Sequence, residues 1–191
     1  MLLAIDIGNS NVVWGIFKNQ TLKQDWRLTT DPAKTSEEYG AIFQSLLRAS
    51  GIGPDQVTGV ILSSVVPSLT PAFEQMSEAL FHHKPLVVSS DLDTGLKLSY
   101  TNPRELGSDR LVNAAAAYAR YKSALIIIDL GTATTFGAVT QAGEYLGGAI
   151  APGLSIAADE LYSRTAKLPK VDLVRPRRSS GRTQLAAFSQ G

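Results

Sequence analysis

The stretch "AIDIGNSNVVWGIF", Ala4–Phe17, places an aspartate at the end of one apolar run and a polar turn before a second apolar run. The two runs predict strands. Gly8 lets the backbone turn tightly and approach a ligand closely, and Asn9, Ser10 and Asn11 add short polar side chains. The pattern indicates a strand end at which a charged ligand is held.

The same pattern recurs later in the chain. "IDIGNSNVVWGIF" and "IDLGTATTFGAV" share an aspartate, an aliphatic residue, a glycine and small polar residues before an apolar strand. The repeat predicts two related halves that face one another across Asp6 and Asp129. Backbone N–H groups in such turns can bind anions, so the pair could clamp nucleotide phosphates while the carboxylates hold cations. Two ordinary tight turns remain the alternative. Neither a P-loop nor a G-x-G-x-x-G motif is present.

Strands interleaved with helices predict an α/β architecture. The run "ALIIIDLG" is almost continuously apolar, which is typical of a strand buried on both faces. Periodicity and turn residues predict helices at Thr35–Ser50, from Thr70, at Ser108–Tyr121 and at Leu154–Thr165, and strands or extended segments at Leu2–Ile5, Val12–Phe17, Leu22–Leu28, Val57–Ser63, Leu86–Ser89, Leu96–Tyr100 and Ala124–Gly131.

Composition narrows the function classes. The 191 residues carry a formal net charge of +1 and no cysteine. This predicts no general affinity for nucleic acid or membrane surfaces, no disulfide and no thiolate site. The two histidines, His82 and His83, follow a helical pattern and favour a solvated helix end over a metal pair. No apolar segment approaches the ~20 residues that span a bilayer. A cytoplasmic protein is expected.

Five segments in order carry a family resemblance: "DIGNSN", "YTNPRELGSDR", "DLGTATTF", "GGAIAPG" and "LPKVDL". The paired aspartate–glycine turns resemble the phosphate loops of the actin, sugar-kinase and chaperone-ATPase superfamily. The five together resemble type III pantothenate kinase over residues 1–176. The resemblance implies an α/β fold of two ribonuclease-H-like halves, with residues 1–115 in the first and residues 116–191 in an incomplete second half. It also implies ATP-dependent phosphorylation of pantothenate, the first step of coenzyme A synthesis, by a homodimer.

The resemblance also implies a role for individual residues. Asp129 would bind an activating monovalent cation, K⁺ or NH₄⁺, and Asp109 would be the general base. Asp6 would lie near Mg²⁺ and contact it through water, because Mg²⁺ keeps much of its hydration. The pantothenate site would comprise Tyr100, Gly107, Ser108, Asp109 and Arg110. ATP would be bound, chiefly by backbone N–H groups in the first turn, by Asp6, Ile7, Gly8, Asn9, Ser10, Asn11, Val12, Val13 and Thr132.

Chemistry supports the assignment of Asp109, with alternatives. Phosphoryl transfer to a primary alcohol needs positioning, charge neutralisation and a nearby proton acceptor, and a carboxylate can serve. An aspartate in the first turn of a helix is also a common cap, and Arg110 could grip a carboxylate bidentately or form a surface ion pair. Another small-molecule kinase of the superfamily, or a non-catalytic relative that acts as a binding or regulatory protein, are the other functions considered.

The tail departs from the family pattern. In "SSGRTQLAAFSQG", Ser179–Gly191, Gln184 stands where the family has a threonine that touches pantothenate, and Thr183 comes one residue early. The segment from about residue 175 is unusually basic and polar, which is typical of an exposed segment. With the second half incomplete, we expect apolar surface of that half to be exposed.

Overall fold

The structure is a computed structural model that describes residues 1–99, 102–165, 167 and 169–170. Two β-sheets dominate it, one of five strands and one of four. The first is built from β1 (Leu2–Ile7), β2 (Asn11–Lys18), β3 (Thr21–Thr29), β4 (Gly59–Ser64) and β5 (Leu86–Val87). Its order is β3-β2-β1-β4-β5, with an antiparallel β1–β2–β3 meander and parallel pairing of β4 with β1 and β5.

Two helices cover one face of the first sheet. They are α1 (Ser36–Ala49) and α2 (Thr70–Phe81), and between them and the sheet lies the main apolar core. The helix α1 begins at a capping box in which Thr35 and Glu38 satisfy each other's backbone N–H groups. Trp14 is completely buried at the centre of this core, edge-on to Phe43 at a centroid distance of 4.5 Å.

A third helix joins the two sheets. After β6 (Lys97–Leu98) and a short 3₁₀ turn at Pro103–Glu105, the helix α3 spans Ser108–Tyr121. It packs against β4 of the first sheet and against strands of the second. Its buried residues Leu111 and Ala114 form a second apolar core together with Val139 and Tyr145. The helix therefore fixes how the two sheets face each other.

The second sheet repeats the start of the first. The strands β7 (Leu125–Leu130), β8 (Ala133–Val139) and β9 (Glu144–Pro152) form an antiparallel meander, and α4 (Leu154–Arg164) follows. The strand β6 pairs in parallel with β9, so the sheet order is β6-β9-β8-β7. Among the described residues, β7–β9 and α4 correspond to β1–β3 and α1. This confirms the predicted α/β fold, with two sheets that begin in the same way.

The prediction that the strand at Ala124–Gly131 is buried on both faces is wrong. Alternate residues of β7 face α3, while Ile126, Ile128 and Leu130 on the opposite face are 68%, 56% and 66% exposed. The equivalent residues of β1, namely Leu3, Ile5 and Ile7, lie beneath the helices and are at most 3% exposed. The difference arises because no helix of the described chain covers that face of the second sheet.

Most predicted elements are confirmed with boundaries shifted by one or two residues, although the predicted strand at Leu86–Ser89 is reduced to the two residues of β5. The predicted boundary between the halves near residue 115 stays a prediction, since α3 packs against both sheets. None of the helices in the described ranges has the length and hydrophobicity of a membrane-spanning segment.

Candidate functional site

A cleft of about 350 Å³ lies between the two sheets, at the ends of β1 and β7. The polar turns that follow these two strands form its walls, and α3 contributes Asp109. Three carboxylates and one guanidinium line it together with small polar side chains. The lining residues are Asp6, Gly8, Asn9, Ser10, Asn11, Val13, Arg27, Val65, Asp109, Asp129, Leu130, Gly131, Thr132, Ala133 and Thr135.

The first turn is a tight hairpin between β1 and β2. The N–H of Gly8 donates to the carbonyl of Asn11 at 2.9 Å, and Thr30 on the neighbouring strand end bonds the carbonyls of Gly8 and Ser10. The N–H of Gly8 is therefore used inside the hairpin, although all four turn residues, Gly8 to Asn11, line the cleft. Asn9 and Ser10 form the tip of this hairpin. The side chains of Ile7 and Val12 are completely buried in the core, so only their backbone could contact a ligand.

The second turn is one residue shorter than the first. Asp6 pairs with Val13 in the register of β1 and β2, whereas Asp129 pairs with Thr135 in that of β7 and β8. The turn closes with a bond from the N–H of Gly131 to the carbonyl of Ala133 at 3.0 Å. The Ser10 and Thr132 hydroxyls meet at 2.6 Å across the cleft.

The glycine-rich segment "GGAIAPG" supports the second turn. The N–H of Gly153 donates to the carbonyl of Thr132 at 3.2 Å. A Cβ at position 153 would collide with the carbonyl oxygens of Gly131 and Thr132. Glycine at this position therefore permits a close backbone approach that positions the turn at the start of α4.

The environment of the cleft, including its other carboxylates, shifts the pKa of Asp6. Although its side chain is open to the cleft, partial desolvation by the surrounding protein raises its pKa, and this is the largest effect. The Ser63 hydroxyl lowers the pKa, the charges of Asp109 and Asp129 raise it, and Arg27 lowers it again. Such convergence of negative charge favours a bound cation.

Asp109 lies in the first turn of α3 and is half-buried. Its Oδ1 accepts a hydrogen bond of 2.7 Å from the N–H of Arg110, one of the first-turn N–H groups, although the N-cap position itself is Gly107. Within the described part of the chain, Oδ2 accepts no hydrogen bond. One carboxylate oxygen is thus fixed by the helix while the residue lines the cleft.

A second cavity of about 400 Å³ adjoins the cleft at Val65. Gly107 and Ser108 line it. The hydroxyl of Ser108 is already engaged by the end of β4, where it donates to the carbonyl of Ser64 at 2.9 Å and accepts from the N–H of the same residue at 3.0 Å. Ser108 therefore anchors α3 to the first sheet, and its hydroxyl is not free for a ligand in this conformation.

Arg110 points away from both cavities. Its Nη2 donates to the Tyr145 hydroxyl at 2.9 Å, between α3 and the second sheet, and its Nε is buried without a hydrogen-bond partner in the described residues. A role in gripping a substrate carboxylate would require the guanidinium to turn. Tyr100, the remaining predicted substrate residue, lies outside the described residues, as does the tail with Gln184.

The sequence did not reveal two residues of the cleft region. Asn113 lies one helical turn after Asp109, and its Nδ2 donates to Oδ2 of Asp129 at 3.0 Å. The i, i+4 spacing on α3 was a signal that could have found it. Arg27 reaches the cleft from β3 through strand pairing, which the sequence does not display.

The carboxylates fit Mg²⁺ held together with a nucleotide better than a metal held by protein alone. No group of three or more His, Asp or Glu side chains in the described ranges is close enough to hold a metal ion. Mg²⁺ in phosphoryl-transfer sites is commonly bound by one or two carboxylates and the substrate phosphates. Asp6 beside the first turn matches that donor set.

Comparison with known proteins identifies a family along almost the whole chain. The family model for type III pantothenate kinase matches residues 2–191. A type III pantothenate kinase of Geobacter sulfurreducens is 49% identical over all 191 residues, and one of Moorella thermoacetica is 48% identical. The chain spans 75% of the length of each.

Solved structures support the fold alone. A Campylobacter jejuni protein assigned to the Baf family of transcriptional activators is 18% identical, with a TM-score of 0.54 over 98% of this chain and 72% of the other. A Sinorhizobium meliloti protein assigned as a 2-dehydro-3-deoxygalactonokinase is 13% identical, with a TM-score of 0.50 over 87% of this chain and 58% of the other. From the match along its whole length, the chain belongs to the type III pantothenate kinase family.

Proposed function

We propose that the cleft between the two turns is the catalytic centre of this kinase. Membership of the family makes the chain an enzyme that phosphorylates pantothenate with ATP, in the first step of coenzyme A biosynthesis. The observation that carries the assignment is the convergence of Asp6, Asp109 and Asp129 on one cleft walled by both copies of the repeated turn.

The two turns bind the triphosphate of ATP. The tips of both turns, with Asn9, Ser10 and Thr132, present small polar groups from opposite walls. Asp6 would hold Mg²⁺, through water, together with the phosphates, and the metal would supply neutralisation of the charge that develops on them. The two further carboxylates of the cleft, Asp109 and Asp129, support this role, because a bound cation stabilises a site that gathers negative charge.

Asp109 accepts the proton of the attacking hydroxyl. The pantothenate hydroxyl oxygen bonds to the γ-phosphorus as the bond to the β–γ bridging oxygen breaks, the proton passes to the carboxylate, and ADP leaves. The hydrogen bond from Arg110 N–H to Oδ1 orients the carboxylate and leaves Oδ2 for this proton. We assign pantothenate to the cavity lined by Gly107 and Ser108, because it adjoins the cleft beside Asp109.

Three further assignments accompany this proposal. Asp129, oriented by Asn113, binds an activating monovalent cation, K⁺ or NH₄⁺. Association into a homodimer, which the family resemblance implies, is the second assignment. A cytoplasmic location agrees with a kinase that uses ATP.

A substrate screen tests the proposed function. ADP release is measured with Mg-ATP and with pantothenate, a hexose, acetate or water as acceptor. Pantothenate should stimulate ADP release at least tenfold over water, and the hexose and acetate should not. Stimulation by a hexose or acetate instead of pantothenate would contradict the assignment, as would nucleotide binding without transfer to any acceptor.

A further inference from the structure

Arg27 is the sole cationic side chain that lines the cleft in the part of the chain that the structure describes. It shares the cleft with the carboxylates of Asp6, Asp109 and Asp129. Nevertheless its guanidinium forms no ion pair within 4 Å with any described carboxylate, and its side chain is exposed. An arginine left unpaired among carboxylates is available to an anionic ligand.

Strand pairing places Arg27 in one row with the other cleft residues. On the first sheet, Arg27 of β3 pairs with Val13 of β2, Val13 pairs with Asp6 of β1, and Asp6 pairs with Ser63 of β4. Neighbouring strands lie about 4.8 Å apart, so Arg27 stands about 10 Å across the sheet from Asp6. Val13 fills the row between them, directly below the first turn.

The positive charge of Arg27 acts on Asp6, a residue of the cleft. It lowers the pKa of Asp6, against the desolvation and the two carboxylates that raise it. A triphosphate brought into the cleft meets three negative side chains. Bound Mg²⁺ and a monovalent cation would offset part of this repulsion, and a protein cation on the β3 side of the turn would offset more.

We propose that Arg27 binds a phosphate group of the nucleotide and anchors the triphosphate on the β3 side of the cleft. The inference rests on the assignment of the cleft to ATP made above. Arginine suits the role because its planar guanidinium binds phosphate oxygens through two parallel hydrogen bonds and stays charged at every working pH. Arg27 thereby adds a residue to the site that neither turn supplies.

The test compares Arg27→Gln, Arg27→Lys and the control Lys23→Gln. Lys23 lies on the same strand, is exposed and does not line the cleft. Lys23→Gln therefore removes one positive charge, as Arg27→Gln does, without changing the cleft. Calorimetry measures the affinity for Mg-ATP without pantothenate, and for adenosine, which has no phosphate. Charged hydrogen bonds of ~1.5–3 kcal/mol correspond to about tenfold or more in affinity.

Arg27→Gln should weaken Mg-ATP binding about tenfold or more and leave adenosine binding unchanged. Arg27→Lys should fall between wild type and Arg27→Gln, and Lys23→Gln should equal wild type. Equal Mg-ATP affinity in wild type and Arg27→Gln would overturn the inference, as would an equal loss for adenosine, which marks a structural role. A wild-type protein that binds no Mg-ATP would overturn the assignment of the cleft itself.

Discussion

The hydroxyls of Ser10 and Thr132 lie 2.6 Å apart, although the two residues are 122 positions apart in the sequence. The contact joins the tips of the two repeated turns across the mouth of the cleft. It shows that the two halves face each other through equivalent elements, as the sequence repeat predicts. Phosphates bound between the turns would meet polar groups from both halves at this point.

Asp6→Asn should stabilise the fold at neutral pH while it weakens Mg-ATP binding. The folded pKa of Asp6 is raised above 3.8, so the folded state binds this proton more tightly than the unfolded chain does. Ionised Asp6 therefore destabilises the fold above its folded pKa, and this effect is lost as the pH falls through that pKa towards 3.8. Denaturant unfolding should show the variant more stable at pH 7 and level with wild type near pH 3. An equal difference at both pH values would contradict the account.

Gly107→Ala should lower kcat by about tenfold or more, since small misplacements of a catalytic group are costly. The backbone at Gly107 has φ −58° and ψ 141°, which alanine adopts freely. The added Cβ would collide with Oδ1 of Asp109 and displace the carboxylate. Gly53→Ala is the control, because a Cβ there meets nothing within 4 Å. Unchanged kcat in Gly107→Ala with an unchanged affinity for ATP would contradict the proposed position of Asp109.

Activity should depend on a monovalent cation, and Asp129→Ala should remove that dependence along with most activity. Asp129 is half-buried at a strand end with Asn113 as a neutral hydrogen-bond partner, and a partly buried charge of this kind is costly without a counter-ion. Titration of KCl into a Tris-buffered assay measures the dependence. A flat response in wild type would mean that Asp129 serves Mg²⁺ or the fold instead.

The 191-residue chain should self-associate through the exposed face of the second sheet. Ile126, Ile128 and Leu130 present adjacent apolar surface to solvent, and such surface favours association. The double variant Ile126→Thr/Ile128→Thr should shift the light-scattering mass towards the monomer. Leu22→Thr, at a residue of the first sheet that is 48% exposed, should not. A wild-type chain that is monomeric at high concentration would contradict this prediction.

The sequence predicts the repeat and the elements well, because the pattern of apolar residues and turns is local. The sequence wrongly predicts that β7 is buried on both faces, because the apolar run of Ile126–Ile128 does not show which faces of a strand a helix will cover. The one-residue difference between the turns is visible in the sequence only in the position of the second glycine of each motif, because Gly15 follows Asp6 by nine residues and Gly137 follows Asp129 by eight. The strand register shows the same difference directly.

Some residues of the candidate site can likewise be predicted from the sequence, and others cannot. Asp6, Asp109 and Asp129 are visible from motifs, and the structure brings all three to one cleft. The position of Arg27 in the cleft depends on the pairing of three strands, which no local sequence pattern reveals. Arg110 is predicted to bind a ligand, yet it lies against Tyr145, because the side of the helix on which a long side chain settles is decided by packing.

The turnover of Asp109→Asn tests the central claim most directly. The substitution keeps the shape of the side chain and removes the proton acceptor, and general-base catalysis contributes ~10²–10⁴-fold. We predict a loss of kcat in that range, with Mg-ATP affinity close to wild type by calorimetry. The exposed Asp55→Asn should be fully active. Near wild-type turnover of Asp109→Asn would contradict the account and leave Asp109 as a helix cap alone.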